Sequence, residues 1–117
     1  MKTWCLTLDL DDDPALIEQY KLHHRNVWPE ILQSLRDAGI LEARIFLLGT
    51  RLVMVLETAD DFSFEAKAAA DAANPKVQEW EKLMWRFQRP LAQAKPGEKW
   101  LLMEPIFELN PDGYASQ

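Results

Sequence analysis

The chain has 117 residues, 48% of them hydrophobic and 27% charged, and a formal net charge of −6. This length and composition predict one globular domain with its own core. The acidic excess argues against nucleic-acid binding, and the lack of an apolar run of about 18 residues argues against a membrane span. With no signal-peptide pattern and a single cysteine, Cys5, we expect a cytoplasmic protein without an internal disulfide.

The pattern of apolar residues and of helix and turn signals predicts eight elements. Apolar residues at every second position predict strands. Apolar residues that recur about every 3.6 residues, which is one helical turn, predict helices. Asp13-Pro14 is typical of a helix start, Trp28-Pro29 of a helix break, and Gly39 of a helix end. The predicted strands are 3–10, 40–48, 52–57 and 99–109, and the predicted helices are 14–28, 30–38, 60–73 (capped by Asp60 or Asp61) and 76–89, followed by a polar tail at 110–117.

This order of elements predicts an α+β fold of the ferredoxin-like, split βαβ type, in which helices cover one face of an antiparallel sheet. The third predicted strand is apolar on both faces, with Leu52, Met54 and Leu56 on one and Val53 and Val55 on the other. One helical layer covers only one of these faces. We therefore expect a homodimer packed sheet against sheet, with residues 1–109 as a single domain.

The first predicted helix carries most of the candidate chemistry. Tyr20, His24 and Trp28 are spaced by four residues and share one face, and Arg25 lies beside them. A phenol, an imidazole and an indole in a row are typical of a pocket for a small polar molecule. Because only His24 in this row titrates near neutral pH, it is the candidate for proton transfer. The residues alone give equal support to an alternative, in which the ring nitrogens of His24 are hydrogen-bonded within the fold and the residue has no catalytic role.

The later helix carries the second aromatic group, and we expect Trp80 to line a pocket because it lies near the helix start. Core packing is the favoured prediction for Trp85 and Phe87. No nucleotide-binding or metal-binding motif is present, and His23 and His24 diverge too far on a helix to hold one metal ion. We therefore expect no cofactor and no metal.

The motif Tyr20…His24…Trp28-Pro29-Glu30-Ile31 resembles the signature of the L-rhamnose mutarotase family, and the segment around Gln78 and Trp80 is similar as well. The similarity covers about residues 1–109. It implies a dimeric α/β-barrel of ferredoxin-like subunits that interconverts the α and β anomers of a 6-deoxy-L-sugar without a cofactor.

The family's catalytic histidine and tyrosine correspond to His24 and Tyr20, and Trp28, Trp80, Arg25 and Glu81 are the predicted sugar-binding residues. In the implied mechanism His24 donates a proton to the ring oxygen while the anomeric hydroxyl loses its own. The ring opens to the aldehyde, C1 rotates, and closure gives the other anomer. The partner base is left open between water, a backbone oxygen and a tyrosine oxygen.

One position departs from the family's pattern. Members acting on L-rhamnose tend to carry two consecutive tryptophans, whereas this chain has Trp80-Glu81. Glu81 either accepts a hydrogen bond in the pocket or faces solvent, and L-fucose becomes an alternative to L-rhamnose. Two other functions share the predicted fold: a cofactor-free monooxygenase and a non-catalytic binding dimer.

Overall fold

The computed structural model describes residues 1–109 and the backbone of residues 115 and 116. The helices and strands follow one another largely in the order that the sequence predicts, including two consecutive helices after the first strand. In chain order they are β1 (Lys2–Leu10), α1 (Pro14–Arg25), α2 (Pro29–Asp37), β2 (Ile40–Leu48), β3 (Arg51–Thr58), α3 (Phe64–Ala72), α4 (Pro75–Met84), β4 (Gln88–Arg89), β5 (Leu101–Leu102), β6 (Glu108–Leu109) and β7 (Ala115–Ser116).

The main sheet is antiparallel, with strand order β2-β3-β1-β4, and β5 pairs with the same edge of β1 as β4 does. This is the order of a ferredoxin-like split βαβ fold, which confirms the predicted α+β class. In the register of β1 with β3, Leu6 faces Met54 and Leu8 faces Leu52. These residues point toward the helices, while Cys5 and its neighbours of the same parity point to the open face.

Local signals in the sequence set the helix ends. The Asp13 side chain accepts hydrogen bonds from the amides of Ala15 and Leu16, so the predicted cap of α1 is confirmed. The helical conformation is interrupted between α1 and α2, and Pro29 occupies the first turn of α2. Gly39 follows α2 with a φ of +92°, which only glycine adopts without strain.

The core lies between the sheet and the helices, in two clusters. The larger joins residues of α1, α2 and α4 to the sheet and includes Leu10, Tyr20, Trp80 and Phe87. The smaller is built on Leu6, Ile40, Leu56 and Phe62. Both clusters occupy the face of the sheet that the helices cover, and the cavity described below opens between them.

Three helix boundaries differ from the prediction. The helix predicted over 14–28 ends at Arg25, so Trp28 precedes α2 and does not continue the face of α1 that carries Tyr20 and His24. Neither Asp60 nor Asp61 caps α3; the Ser63 hydroxyl does, by accepting a hydrogen bond from the amide of Ala66. The helix predicted over 76–89 ends at Met84, and a tight turn brings Gln88 into the sheet opposite Leu10. The helical spacing of apolar residues continued past Met84 because that turn also buries Phe87.

The strand predicted over 99–109 is wrong as one element. Only Leu101–Leu102 pairs with β1, and the Met103 amide then donates to the Cys5 carbonyl. Pro105 lacks an amide hydrogen and cannot continue the ladder, so the chain leaves the sheet there. Glu108–Leu109 pairs instead with residues 115 and 116. The rest of the predicted polar tail, 110–114 and 117, lies outside the described residues.

Within the described residues, each helix is too short or too polar to cross a bilayer.

Candidate active site

A cavity of about 470 Å³ opens between the helices and the covered face of the sheet. This volume is in the range of small-molecule sites. Most of its wall is apolar, contributed by α2, β2, β3 and α4. Its polar and aromatic side chains, which carry any chemistry, are Tyr20, His24, Ser34, Lys67, Asp71, Trp80, Glu81 and Trp100.

Tyr20 lines this cavity and is buried, with 4% of its surface exposed. The Nε2 atom of Gln88 donates a hydrogen bond to the Tyr20 hydroxyl over 3.2 Å. Burial raises the pKa of Tyr20 to about 12, outweighing the opposite effect of the Gln88 hydrogen bond. Tyr20 is therefore a neutral phenol at physiological pH. Since its oxygen already accepts from Gln88, its own hydrogen is available to an acceptor in the cavity.

His24 lies one helical turn after Tyr20, and the centroids of the two rings are 4.4 Å apart. The Nδ1 atom of His24 is 2.9 Å from the backbone carbonyl oxygen of Tyr20. A carbonyl only accepts, so Nδ1 carries the hydrogen and Nε2 of the neutral ring presents a lone pair. Burial lowers the pKa of His24 below its ordinary value, with the hydrogen bond to Tyr20 acting in the opposite direction. The resting side chain is a neutral base.

The two tryptophans predicted to bind the sugar, Trp80 and Trp28, pack against each other beside His24. Trp80 lines the cavity, is 6% exposed, and packs edge-on against His24 with the ring centroids 5.7 Å apart. Trp28 packs edge-on against Trp80 at 5.2 Å but does not itself line the cavity. The sequence predicts that Tyr20, His24, Trp28 and Trp80 lie in one site, and the structure brings their side chains together. Trp28 lies behind Trp80, where it restricts the indole's movement.

The two predicted charged residues have different positions. Glu81 lines the cavity, and its carboxylate contacts the Lys99 ammonium group at 2.6 Å. Lys99 is nearly buried and also lies 4.6 Å from the centre of the Trp85 ring. Arg25 is exposed and is not part of the cavity wall. The geometry thus gives no support to a contact between Arg25 and a bound sugar.

Five polar or aromatic residues near the site have no clear signal in the sequence: Ser34, Lys67, Asp71, Gln88 and Trp100. Gln88 was assigned to a helix, and Trp100 to a continuous strand without a role. Lys67 and Asp71 are spaced like a solvent-exposed helical ion pair, so only the packing of α3 reveals that they border the cavity. Among residues 1–109, no three histidine, cysteine, aspartate or glutamate side chains converge as metal ligands.

The fold and the site together define a small ferredoxin-like α+β protein whose cavity holds a neutral histidine beside a neutral tyrosine. The sequence profile of a family described as L-rhamnose mutarotase matches residues 3–109. An L-fucose mutarotase from Xanthomonas campestris pv. campestris is 51% identical over 94% of this chain and 90% of its own length. The chain belongs to the L-rhamnose mutarotase family.

One further relative and one solved structure are also similar to this chain. An L-rhamnose mutarotase from Burkholderia ambifaria is 29% identical over 83% of this chain and 89% of its own length. The crystal structure of an L-rhamnose mutarotase from Formosa agariphila superimposes with a TM-score of 0.70. That alignment covers 94% of this chain and 100% of the other at 21% identity, so it supports the fold.

The tautomer and the pKa of His24 can be measured directly. Nitrogen-detected NMR of the imidazole should show the hydrogen on Nδ1 at neutral pH, and titration should give a pKa below 6.5, the ordinary value. The variant His23→Asn assigns the two sets of signals. A ring with its hydrogen on Nε2, or a pKa above 6.5, would contradict the described geometry.

Proposed function

We propose that this protein is a mutarotase that interconverts the α and β anomers of a 6-deoxy-L-sugar, with L-fucose as its preferred substrate. The observation that carries the proposal is the pairing of a neutral His24 with a neutral Tyr20 in one aromatic cavity. Anomer exchange needs a proton removed from the anomeric hydroxyl and a proton delivered to the ring oxygen. His24 can do both, and Tyr20 can stabilise the ring oxygen, without a cofactor.

His24 acts as a proton shuttle in this proposal. Its Nε2 lone pair takes the proton of the anomeric hydroxyl while the bond between C1 and the ring oxygen breaks. The imidazolium then returns that proton to the former ring oxygen, which becomes the C5 hydroxyl, and C1 becomes an aldehyde. After C1 rotates, the same steps run in reverse and close the ring to the other anomer. No proton or electron pair is gained or lost overall.

Tyr20 supports the shuttle as a hydrogen-bond donor. Because Gln88 donates to the Tyr20 oxygen, the phenol hydrogen points elsewhere, and the cavity is where an acceptor would be bound. We propose that it donates to the ring oxygen, where negative charge develops as the ring opens. In this mechanism Tyr20 stabilises the ring oxygen, and His24 is the base that accepts the proton of the anomeric hydroxyl.

The proposed sugar contacts use both charge and aromatic surface. Trp80 offers an indole face to the C–H groups of the sugar, and Trp28 holds that indole in place. The nearly buried Lys99 ammonium group pairs with Glu81, so the carboxylate has a defined position at the cavity wall. We propose that Glu81 accepts a hydrogen bond from a sugar hydroxyl. Arg25 has no place in this set because it is exposed.

Two observations support L-fucose over L-rhamnose. The relative named L-fucose mutarotase is 51% identical, against 29% for the L-rhamnose mutarotase from Burkholderia. In addition, Glu81 replaces the second tryptophan expected of members acting on L-rhamnose. A carboxylate and an indole present different partners to a sugar hydroxyl. Neither observation favours the monooxygenase or the non-catalytic dimer.

Exchange between anomers can be followed by saturation-transfer NMR with L-fucose and L-rhamnose. We expect the protein to accelerate both, L-fucose more, and His24→Asn to lower kcat by about 10²–10⁴-fold because it removes the proton shuttle. His23→Asn, one residue away and outside the cavity wall, serves as the matched control. Full activity of His24→Asn would refute the mechanism, and no acceleration with either sugar would refute the proposed function.

We also propose that the protein is a cytoplasmic homodimer involved in carbohydrate metabolism, with residues 1–109 as one domain. The open face of the sheet supports the dimer: Phe46 and Leu48 are 56% and 84% exposed there. Phe46 is paired with Val53, which is paired on its other side with Thr7. Large exposed apolar side chains such as Phe46 and Leu48 on a sheet face are typical of an interface between copies of one chain.

A charge placed at Phe46 should separate the subunits. We expect wild-type protein to sediment as a dimer and Phe46→Glu to sediment as a monomer, because the carboxylate would be buried without a partner. Leu22→Glu, at a comparably exposed leucine on α1, should remain dimeric. A monomeric wild-type protein at micromolar concentration would overturn the proposed dimer.

A further inference from the structure

An ion pair on α3 borders the same cavity as Tyr20 and His24. The Lys67 ammonium group contacts the Asp71 carboxylate at 2.5 Å, and both residues belong to the cavity wall. We propose that Lys67 and Asp71 bind the sugar's hydroxyl groups away from the anomeric carbon and so determine which sugar is accepted. This inference rests on the proposed function, since it adds contacts for the same substrate.

The position of this pair differs from that of an ordinary surface ion pair. The side chains of Lys67 and Asp71 are 25% and 23% exposed. The pair formed by Lys21 and Glu18 on α1, by contrast, is 44% and 62% exposed. Helical ion pairs in solvent contribute little to stability, so stability alone gives weak reason to place charges against an apolar cavity. Partial burial there is understandable if a polar ligand contacts them.

The substrate needs more polar partners than the catalytic pair supplies. A 6-deoxy-hexopyranose has hydroxyls at C2, C3 and C4 besides its anomeric hydroxyl and ring oxygen, which His24 and Tyr20 are proposed to serve. Ser34 already donates its hydroxyl hydrogen to the Ile31 carbonyl at 2.8 Å. Buried hydroxyls without partners weaken binding considerably. The ion pair on α3 is the remaining charged group of the cavity wall apart from Glu81.

The chemistry of the pair suits hydroxyl recognition. An ammonium group has three hydrogens and a carboxylate has two acceptor oxygens, and their mutual contact engages only one of each. Lys67 can therefore donate to a sugar hydroxyl while Asp71 accepts from it or from its neighbour. The Asp71 backbone is itself held by Gln78, whose Nε2 donates to the Asp71 carbonyl at 2.9 Å. The pair is thus fixed relative to α4, which carries Trp80.

Such a pair would discriminate between sugars. L-fucose and L-rhamnose differ in the configuration of their C2 and C4 hydroxyls. A charged group placed to bind a hydroxyl in one configuration loses that hydrogen bond when the hydroxyl has the other configuration. Selectivity between the two sugars would therefore depend on α3 as well as on Glu81.

The test combines two variants with substrate analogues. We would measure kcat and KM for anomer exchange by Asp71→Asn and Lys67→Met, using the better sugar and its 2-deoxy, 3-deoxy and 4-deoxy analogues. We expect KM for the full sugar to rise about 10-fold, as for a lost hydrogen bond to a charged group, with kcat within about threefold of wild type. For the analogue lacking the contacted hydroxyl, wild type and variant should have the same KM.

Lys21→Met and Glu18→Gln remove an exposed helical pair outside the cavity wall and serve as matched controls. An unchanged KM, or the same rise in KM for the full sugar and every analogue, would overturn the inference, since a structural effect does not depend on one hydroxyl. If wild type exchanges neither sugar, the proposed function falls and this inference with it. If wild type exchanges the anomers but the effect of the variants on KM does not depend on any one hydroxyl, this inference is overturned while the proposed function stands.

Discussion

The site depends on one hydrogen bond within α1, from Nδ1 of His24 to the backbone carbonyl of Tyr20. It places the imidazole hydrogen away from the cavity and leaves Nε2 as a lone pair. The surrounding aromatic rings then keep the ring neutral, because burial disfavours its charged form. The hydrogen bond sets the position and the tautomer of the proposed base, and burial sets its charge. The fold maintains both conditions.

The sheet and the helices divide this work. Gln88 reaches Tyr20 only because the chain turns after α4 and pairs beside Leu10 at the edge of β1. Trp80 reaches His24 from α4, while α3 brings Lys67 and Asp71 to the wall of the same cavity. Tyr20 and His24, the proposed catalytic pair, come from one helix, and the surrounding contacts come from segments distant in sequence. A single family fold can thus keep one reaction while its cavity wall changes.

Local patterns were sufficient for much of this protein. The spacing of Tyr20 and His24 is a property of one helix, and the order of strands and helices is sufficient to predict the split βαβ fold. The errors arose where packing overrides periodicity: Phe87 continues the helical spacing of α4 but follows a turn, and Pro105 ends the sheet pairing predicted to continue. Lys67 and Asp71 look solvent-exposed in sequence because only tertiary structure shows that their face of α3 borders a cavity.

The pH dependence of anomer exchange tests the central claim most directly, namely that His24 begins the reaction as a neutral base. Its pKa is depressed below 6.5, so the neutral form should predominate at and above that pH. We therefore predict that kcat/KM for L-fucose stays near its plateau from about pH 8 to 7 and falls at acidic pH as the imidazole becomes protonated. A rate that increases as pH falls through this range would contradict the account, because the protonated ring would then be the active form.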